Sequence, residues 1–246
     1  MSHQGQLGVY FESLGYRLLG TLFLAQGDEP KPTAVILHGL PGIEKNYDLA
    51  LFLREHGWNS LIFHYRGCWG SAGVYNLKTI LKDVQAALDY LCSGKHMQIE
   101  VNKLVLIGHS LGGWAAVLVS ALDQRVKATA VYGAISDPRN IKWKPEIIET
   151  DILPWLPGLN LESFMSQWDE LGAEFTPVEQ VTKIAPRPLL IIHAAEDELV
   201  SAEHAIKLYA PAARHSKLII HPEANHAFTW HREWLRSCIF EWLENL

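Results

Sequence analysis

The chain has 246 residues, of which 48% are hydrophobic and 20% charged, and these values fit one globular domain with a sizeable core. The formal net charge is −6 without a basic block, which argues against nucleic-acid binding and against attraction to an anionic membrane surface. The start, Met1–Gln6, lacks the pattern of a signal peptide, and no apolar stretch reaches the length of a membrane span. Three sparse cysteines do not make a disulfide framework, so we expect reduced thiols and a cytoplasmic protein.

Short apolar runs of strand length alternate with longer amphipathic stretches. A hairpin is predicted first, with Val9–Glu12 and Tyr16–Leu24 joined through Leu14-Gly15. The strand-like runs that follow are Thr33–Leu37, Ser60–Tyr65, Lys103–Ile107, Ala128–Tyr132, Pro188–His193 and Lys217–His221. Runs that are apolar on both faces and alternate with helices predict an α/β fold, with a mostly parallel sheet of about eight strands covered on both faces.

Three helical patterns lie between or after these runs. Apolar residues from Ile80 to Leu91 recur at helical spacing, and Leu111–Leu122 is apolar nearly all round, as a buried helix would be. The closing pattern, Trp230–Leu243, has one apolar face. That face would offer a surface for a homodimer if it were exposed.

One stretch, from Asp137 to about Pro177, contains no strand-like run. It carries several prolines and the aromatic residues Trp143, Trp155, Phe164 and Trp168. A loop this long inside a compact domain is usually functional or has helices of its own. We therefore expect a single domain over residues 1–246, with a small helical cap inserted at about 137–177; a surface excursion packed on the body is the alternative.

The segment Leu104–Gly113 contains a G-x-S-x-G pattern centred on Ser110. Nucleophilic catalysis by serine needs a hydroxyl raised on a sharp turn between a strand and a helix, and the strained backbone requires glycine two positions to either side. An apolar strand runs into this pattern and a helix of small residues runs out of it, which is the context that the motif demands. Ser110 is therefore the predicted nucleophile, and a helix-capping serine in a Gly-rich turn is the alternative.

A serine hydroxyl needs a base, and the base needs a carboxylate that orients it. His226 follows the last strand run on a loop, whereas His221 and His231 resemble a strand end and a helix face. Asp197 lies just past a strand end, and the order serine, acid, histidine is typical of this motif. We predict His226 as base and Asp197 as acid, with Asp137 as the rival carboxylate.

The reaction also needs two fixed donors for the oxyanion that forms on the attacked carbonyl. One is expected to be the backbone amide of Leu111, directly after the proposed nucleophile. The other is expected from the loop that follows the run Val35–Leu37, where Leu40 can supply an amide and Pro41 cannot. A simple Gly-Pro turn is the alternative interpretation of that loop.

Several motifs together resemble the α/β-hydrolase superfamily over almost the whole chain. They are the HG loop His38–Gly42, the turn Arg66-Gly67 with Gly70-Ser71, the elbow Gly108–Gly113, Asp197 with Val200, and Asn225–Phe228. Within the superfamily, the chain is similar to small carboxylesterases, including the cinnamoyl or feruloyl type, and to catalytic domains related to acylaminoacyl-peptidase and prolyl oligopeptidase. His64 and Ala194 depart from the usual aspartate and glycine, which bears on the subfamily.

The resemblance implies a serine esterase that cleaves small to medium carboxylic esters through an acyl-enzyme, with a small-molecule ester as its partner and no metal or organic cofactor. The cap aromatics Trp143, Trp155, Phe164 and Trp168 are candidates for an apolar substrate pocket, or else they form the core of the cap. A peptidase, amidase or thioesterase would use the same groups. A non-catalytic ligand-binding member of the fold also stays open.

Overall fold

The computed structural model of the protein describes residues 5–43 and 46–246. The expectation about a signal peptide concerns Met1–Gln6, and the first four of these positions lie outside the described residues. Within the two described ranges, no helix is both long and apolar enough to cross a membrane.

Eight strands form one sheet in the described part of the chain. They are β1 (Gly5–Ser13), β2 (Tyr16–Leu24), β3 (Lys31–Leu37), β4 (Asn59–Phe63), β5 (Ile99–His109), β6 (Val126–Tyr132), β7 (Leu189–Ala194) and β8 (Ser216–His221). Their order is β1-β2-β4-β3-β5-β6-β7-β8. The hairpin β1–β2 and the pair β2–β4 are antiparallel, and every other neighbouring pair is parallel. The predicted, mostly parallel sheet of about eight strands is confirmed.

Helices cover both faces of this sheet. They are α1 (Tyr47–Glu55), α2 (Ile80–Leu91), α3 (Leu111–Leu122), α4 (Pro145–Ile147), α5 (Leu161–Glu174), α6 (Pro177–Gln180), α7 (Glu203–Ala212) and α8 (Arg232–Leu243). Apolar side chains of α1 and α8 pack with the strands in one buried layer, and those of α2, α3 and α7 pack in the other. The central strands are therefore buried on both faces along most of their length, which explains their apolar runs.

The apolar face of α8 belongs to the core. Leu235, Ile239 and Leu243 on this helix are buried against the sheet. Trp230, which the sequence pattern had assigned to the same helix, precedes it and is 90% exposed. The helix face is thus not the exposed surface on which the expectation of a homodimer depended.

Between β6 and β7 the chain forms short helices and turns. After a 3₁₀ turn at Pro138–Asn140 come α4, a π-helical turn at Ile148–Ile152, a 3₁₀ turn at Leu153–Trp155, and α5. Turns and helices form their backbone hydrogen bonds locally, without a neighbouring strand. This explains why the segment contains no strand-like run. Its aromatic side chains pack on one another, and its inner residues line a cavity above the sheet.

Parallel strands bring the loops at their carboxyl ends to one edge of the sheet. The loop 38–42 follows β3, Ser110 follows β5, Asp197 follows β7, and His226 follows β8. This edge is where ligands bind in open α/β sheets. Four segments that are far apart in sequence therefore meet at one place.

Candidate active site

Ser110 lies at the tight turn between β5 and α3. Its backbone has φ 55° and ψ −119°, a region that side-chain-bearing residues rarely adopt. A Cβ on Gly108 would lie 2.3 Å from the Gly112 carbonyl oxygen, and a Cβ on Gly112 would lie 2.2 Å from the Leu37 carbonyl oxygen. Only glycine fits at either position. The strained turn raises the Ser110 side chain at the amino end of α3, where the helix dipole favours negative charge.

Asp197 and His226 are joined by a hydrogen bond. His226 Nδ1 lies 2.8 Å from Asp197 Oδ2. The other carboxylate oxygen, Asp197 Oδ1, accepts from the backbone amides of Leu199 and Val200, at 3.0 and 2.7 Å. Because a carboxylate accepts but does not donate, Nδ1 of His226 carries the hydrogen and Nε2 is left as the basic nitrogen.

A second histidine also contacts this carboxylate. His193 Nε2 lies 2.8 Å from the Val200 carbonyl oxygen and 3.3 Å from Asp197 Oδ2. Burial alone would raise the pKa of Asp197, but the hydrogen bonds from His193 and His226 outweigh it and hold that pKa well below its usual range. Asp197 therefore stays ionised wherever His226 would act as a base.

The rival residues have other partners. Asp137 forms an ion pair with Arg139, with 2.9 Å between Oδ1 and Nε, and also accepts from the Arg139 amide. The rings of His221 and His231 lie 4.1 Å apart, and His221 also contacts the ring of Trp234. In the described part of the chain, Asp137 and these two histidines form no hydrogen bond with Asp197 or His226.

The loop after β3 lies against Ser110. A Cβ on Gly39 would be 2.8 Å from the Cβ of Ser110, so the two backbones approach closely. Leu40 and Pro41 of this loop line a cavity of about 400 Å³ together with Ser110, Leu111 and His226. Both residues that the sequence predicts as oxyanion donors thus share one cavity with the proposed nucleophile and base.

The segment between β6 and β7, where the sequence predicts a cap, contributes one wall of that cavity, and this wall differs from the one expected. Trp143 lines the cavity, whereas Trp155, Phe164 and Trp168 do not. Phe164 and Trp168 are buried in the packing of the cap, and the Trp168 indole N–H donates to the Pro138 carbonyl oxygen at 3.0 Å. Their pocket-lining role is therefore corrected to a packing role, because the segment needs a core of its own.

Aliphatic residues to which the sequence analysis gave no pocket-lining role form most of the apolar wall. They are Ile135, Ile141, Ile147, Ile152, Leu199 and Val200. The signal available in the sequence was the series of isoleucines between the prolines of the cap segment. Charged side chains also reach the cavity, namely Lys142, Lys144, Asp151 and Glu198.

A smaller cavity of about 290 Å³ adjoins the first. The two share Leu40, Pro41, Glu198, Leu199 and His226. The remaining residues that line the smaller cavity are Gly39, Gly42, Ile43, His109 and Ala227. His226 therefore borders both cavities. Among the residues described, no group of three or more His, Cys, Asp or Glu side chains is placed to hold a metal ion.

Comparison with known proteins gives a family match over most of the chain. Residues 50–245 match the sequence model of the prolyl oligopeptidase family. The uncharacterized protein YfhR of Escherichia coli (strain K12) is 27% identical over 201 residues, which cover 81% of this chain and 64% of that protein. Acylamino-acid-releasing enzyme 1 of Oryza sativa subsp. japonica is 28% identical over 221 residues, 80% of this chain and 27% of that enzyme. The chain thus spans less than two thirds of the length of either relative.

Solved structures share the fold. Est1E of Butyrivibrio proteoclasticus with bound ferulic acid superposes with a TM-score of 0.79 at 22% identity, covering 96% of this chain and 98% of that one. The Pyrococcus furiosus esterase PF2001 gives a TM-score of 0.73 at 19% identity, covering 98% and 91%. At these identities the likeness concerns the arrangement of strands and helices.

Proposed function

Since the chain belongs to the prolyl oligopeptidase family and is a hydrolase of the α/β-hydrolase fold, we propose that it cleaves carboxylic esters of small to medium size with Ser110 as nucleophile. The proposal rests chiefly on one observation. His226, which is hydrogen-bonded to the buried Asp197, lines the same cavity as Ser110, the residue at the strained turn. His226 is the proposed base and Asp197 the proposed acid.

The reaction follows from the roles of these groups. His226 Nε2 takes the proton of the Ser110 hydroxyl while Oγ attacks the substrate carbonyl carbon. The backbone amides of Leu40 and Leu111 are proposed to donate to the oxyanion. His226 then gives the proton to the departing alcohol, which leaves an acyl group on Ser110. Water, deprotonated by the same histidine, releases the acid and restores the serine.

Asp197 supports both half-reactions without exchanging a proton. Its carboxylate keeps the hydrogen of His226 on Nδ1 and stabilises the imidazolium that forms in each step. Two backbone amides and His193 hold the carboxylate in place, so its orientation does not depend on the substrate. This support matters because a wrong tautomer of His226 would leave no base facing Ser110.

Esters are the proposed substrates because the Pyrococcus furiosus protein that shares the fold is an esterase, and because the proposed nucleophile opens into a cavity of limited size. A second candidate is cleavage of an amide or peptide bond. It is favoured by the family itself and by the resemblance to the rice acylamino-acid-releasing enzyme. We also propose a cytoplasmic location, supported by the odd and sparse set of three cysteines in the sequence.

The test is hydrolysis of p-nitrophenyl esters from acetate to long acyl chains. We expect the wild type to cleave the shorter esters, and Ser110→Ala to lose about 10⁴- to 10⁶-fold in kcat. His226→Ala and Asp197→Asn are expected to lose activity strongly, while the matched controls His221→Ala and Asp137→Asn keep most of it. Absence of ester cleavage by a wild type whose Ser110 still reacts with a fluorophosphonate would turn the proposal toward amides. No labelling of Ser110 would refute the nucleophile.

A further inference from the structure

Trp69 connects two parts of the molecule that border the cavity. It lies in the turn after β4, and its indole N–H donates to the Pro41 carbonyl oxygen at 2.9 Å. Its ring is stacked on the ring of Trp155, with centroids 5.3 Å apart and an interplanar angle of 19°. One side chain therefore contacts the loop after β3 with its edge and the cap with its face.

Each partner of Trp69 belongs to a segment that lines the cavity. Pro41 follows Leu40, the proposed oxyanion donor, and both line the cavity. Trp155 closes the cap run that begins at Ile148, and Ile152 in the same run faces the substrate cavity. A displacement of this cap run would move the stacked rings of Trp155 and Trp69. Through the hydrogen bond of Trp69, it would also move the loop that carries Leu40.

The backbone of Trp69 is itself unusual. Its φ is 51°, in the left-handed region that disfavours residues with a side chain. Such strain, of order 1 kcal/mol or more, persists where the surroundings over-determine a position, and it concentrates at functional sites. The loop after β3 also packs closely on this side chain, because a Cβ on Gly42 would lie 2.7 Å from Trp69 Nε1. This packing also indicates that the position of Trp69 is tightly constrained.

The turn that carries Trp69 is fixed to the body of the protein. The Arg66 backbone amide donates to Asp83 Oδ2 of α2 at 2.9 Å, and the Arg66 guanidinium forms a buried ion pair with the same carboxylate. The Arg66 guanidinium also donates to Ser13 Oγ of β1 at 2.8 Å. The turn of Trp69 is thereby anchored to α2 and β1, on the body of the protein.

We propose that Trp69 is a positioning residue that holds the loop of Leu40 in its oxyanion-binding geometry, and that Trp155 transmits the position of the cap run to it. The proposal deepens the proposed function and rests on it, because it assigns these two tryptophans to the oxyanion loop of the same site. A hydrogen bond to Pro41 from a rigid ring limits how far the neighbouring Leu40 amide can turn. Substrate that seats the cap run would thus complete the donor pair.

Trp69→Phe isolates the hydrogen bond, because it keeps an aromatic face for Trp155 and removes the indole donor. The left-handed backbone is the same for both residues, so its strain is matched. We expect kcat for p-nitrophenyl butyrate to fall roughly tenfold or more, because misplacing a transition-state donor costs rate. KM is expected to stay within about twofold, since the ground-state carbonyl needs the donor less.

Trp155→Ala isolates the stack. Trp155 is 44% exposed, so this variant is expected to fold even if Trp69→Phe does not. A stacked aromatic pair is worth a factor of about 2 to 12, and we expect kcat to fall by that order, with Trp155→Phe recovering most of it. Trp58→Phe is the control, because Trp58 borders a cavity at the opposite, amino ends of the strands. It should leave kcat unchanged.

The double variant tests whether Trp155 affects kcat through Trp69 or independently of it. If Trp155 acts through Trp69, then Trp155→Ala should cost less than about twofold in a Trp69→Phe background. Full additivity, or an unchanged kcat in folded Trp69→Phe, would overturn the inference. These results differ from failure of the proposed function, in which the wild type itself neither hydrolyses ester or amide nor labels at Ser110.

Discussion

Three buried histidines at the proposed site make hydrogen bonds of different kinds. His226 Nδ1 donates to Asp197, and His193 Nε2 faces both Asp197 and the Val200 carbonyl. His109, next to the proposed nucleophile, donates through Nε2 to the His226 carbonyl oxygen at 3.1 Å. Burial, and then the charge of His226, hold the pKa of His109 well below its usual range. His109 thus acts as an uncharged donor that holds the histidine loop.

Substitution of His193 tests whether its contact with Asp197 holds that carboxylate in its orientation. Its Nδ1 is buried without a hydrogen-bond partner among the described residues, so Nε2 carries the hydrogen. His193→Leu should destabilise the fold by about 1–3 kcal/mol by leaving buried acceptors unpaired, and should lower kcat roughly tenfold as Asp197 loses its fixed orientation.

His193→Gln is the matched variant, because its amide can place a donor near the position of Nε2. We expect it to regain most of kcat, as measured with the same ester. Urea unfolding of both variants separates the stability effect from the catalytic one. Equal kcat values for the leucine and glutamine variants would contradict the positioning role.

At the scale of elements, the nucleophile turn depends on glycine more strictly than its sequence motif suggests. A Cβ added at Gly108 or Gly112 would collide with backbone atoms, which cannot move aside as the end of a side chain can. Gly108→Ala should therefore lower the free energy of unfolding by about 3 kcal/mol or more, with activity lost in parallel. Denaturant titration of the purified protein measures the effect, and aggregation during expression would be its extreme form.

Gly8→Ala is the control for that substitution. Gly8 lies in the edge strand β1, and a Cβ there would meet nothing within 4 Å. Alanine at this position should be neutral or should stabilise the protein by up to about 1 kcal/mol. If the alanine variants at 8 and 108 unfold at the same denaturant concentration, the close approach at the elbow is not what demands glycine.

Strands were predictable from the sequence because burial on both faces leaves a local trace. The run Ala128–Tyr132 lies inside the largely buried strand β6. The run Lys217–His221 lies inside β8, an edge strand that is only partly buried but is still rich in apolar residues. The run Lys103–Ile107 recovers only the middle of β5, since the strand begins at Ile99 with an irregular, partly exposed portion. Helix α7 has a weaker trace, with Pro211 inside it, and the sequence analysis did not single it out.

For the proposed site, the sequence predicted a residue's position only where its immediate neighbours in the chain determine that position. Ser110 and His226 follow strand ends, and that position can be read from the chain. The contacts of Trp69, His193 and Phe164 depend on which distant segment lies opposite, and no local pattern encodes that. The cap aromatics show the limit well, because an aromatic residue at the right place for a pocket serves equally for packing.

At the scale of the whole molecule, buried histidines couple stability to pH. His204 on α7 is 4% exposed, and its Nδ1 accepts from the Ser136 backbone amide at 3.0 Å. Burial, followed by the charge of His193, lowers the pKa of His204 to about 4. Because the folded pKa lies below the unfolded one, the contribution to stability is complete above about pH 6.5 and is lost as pH falls toward about 4.

His204→Asn tests this linkage. Asparagine keeps an acceptor for the Ser136 amide but does not titrate. Between pH 7 and pH 4, we expect the variant to lose about 3 kcal/mol less unfolding free energy than the wild type. Urea titrations at pH 7, 6, 5 and 4 measure the difference, with the pH 7 value as the baseline. Parallel curves for the two proteins would show that His204 does not contribute to the acid sensitivity.

The assembly of the proposed site from strand ends along nearly the whole chain also has a consequence for its biosynthesis. Ser110 is made long before its proposed base, and at about 5–20 residues per second the ribosome needs about 6 to 23 s to extend the chain from position 110 to position 226. Throughout this interval the nascent chain holds the serine without a base to activate it. Hydrolytic capacity would therefore appear only after His226 has been synthesised, and a chain interrupted anywhere before β8 would have no hydrolytic activity.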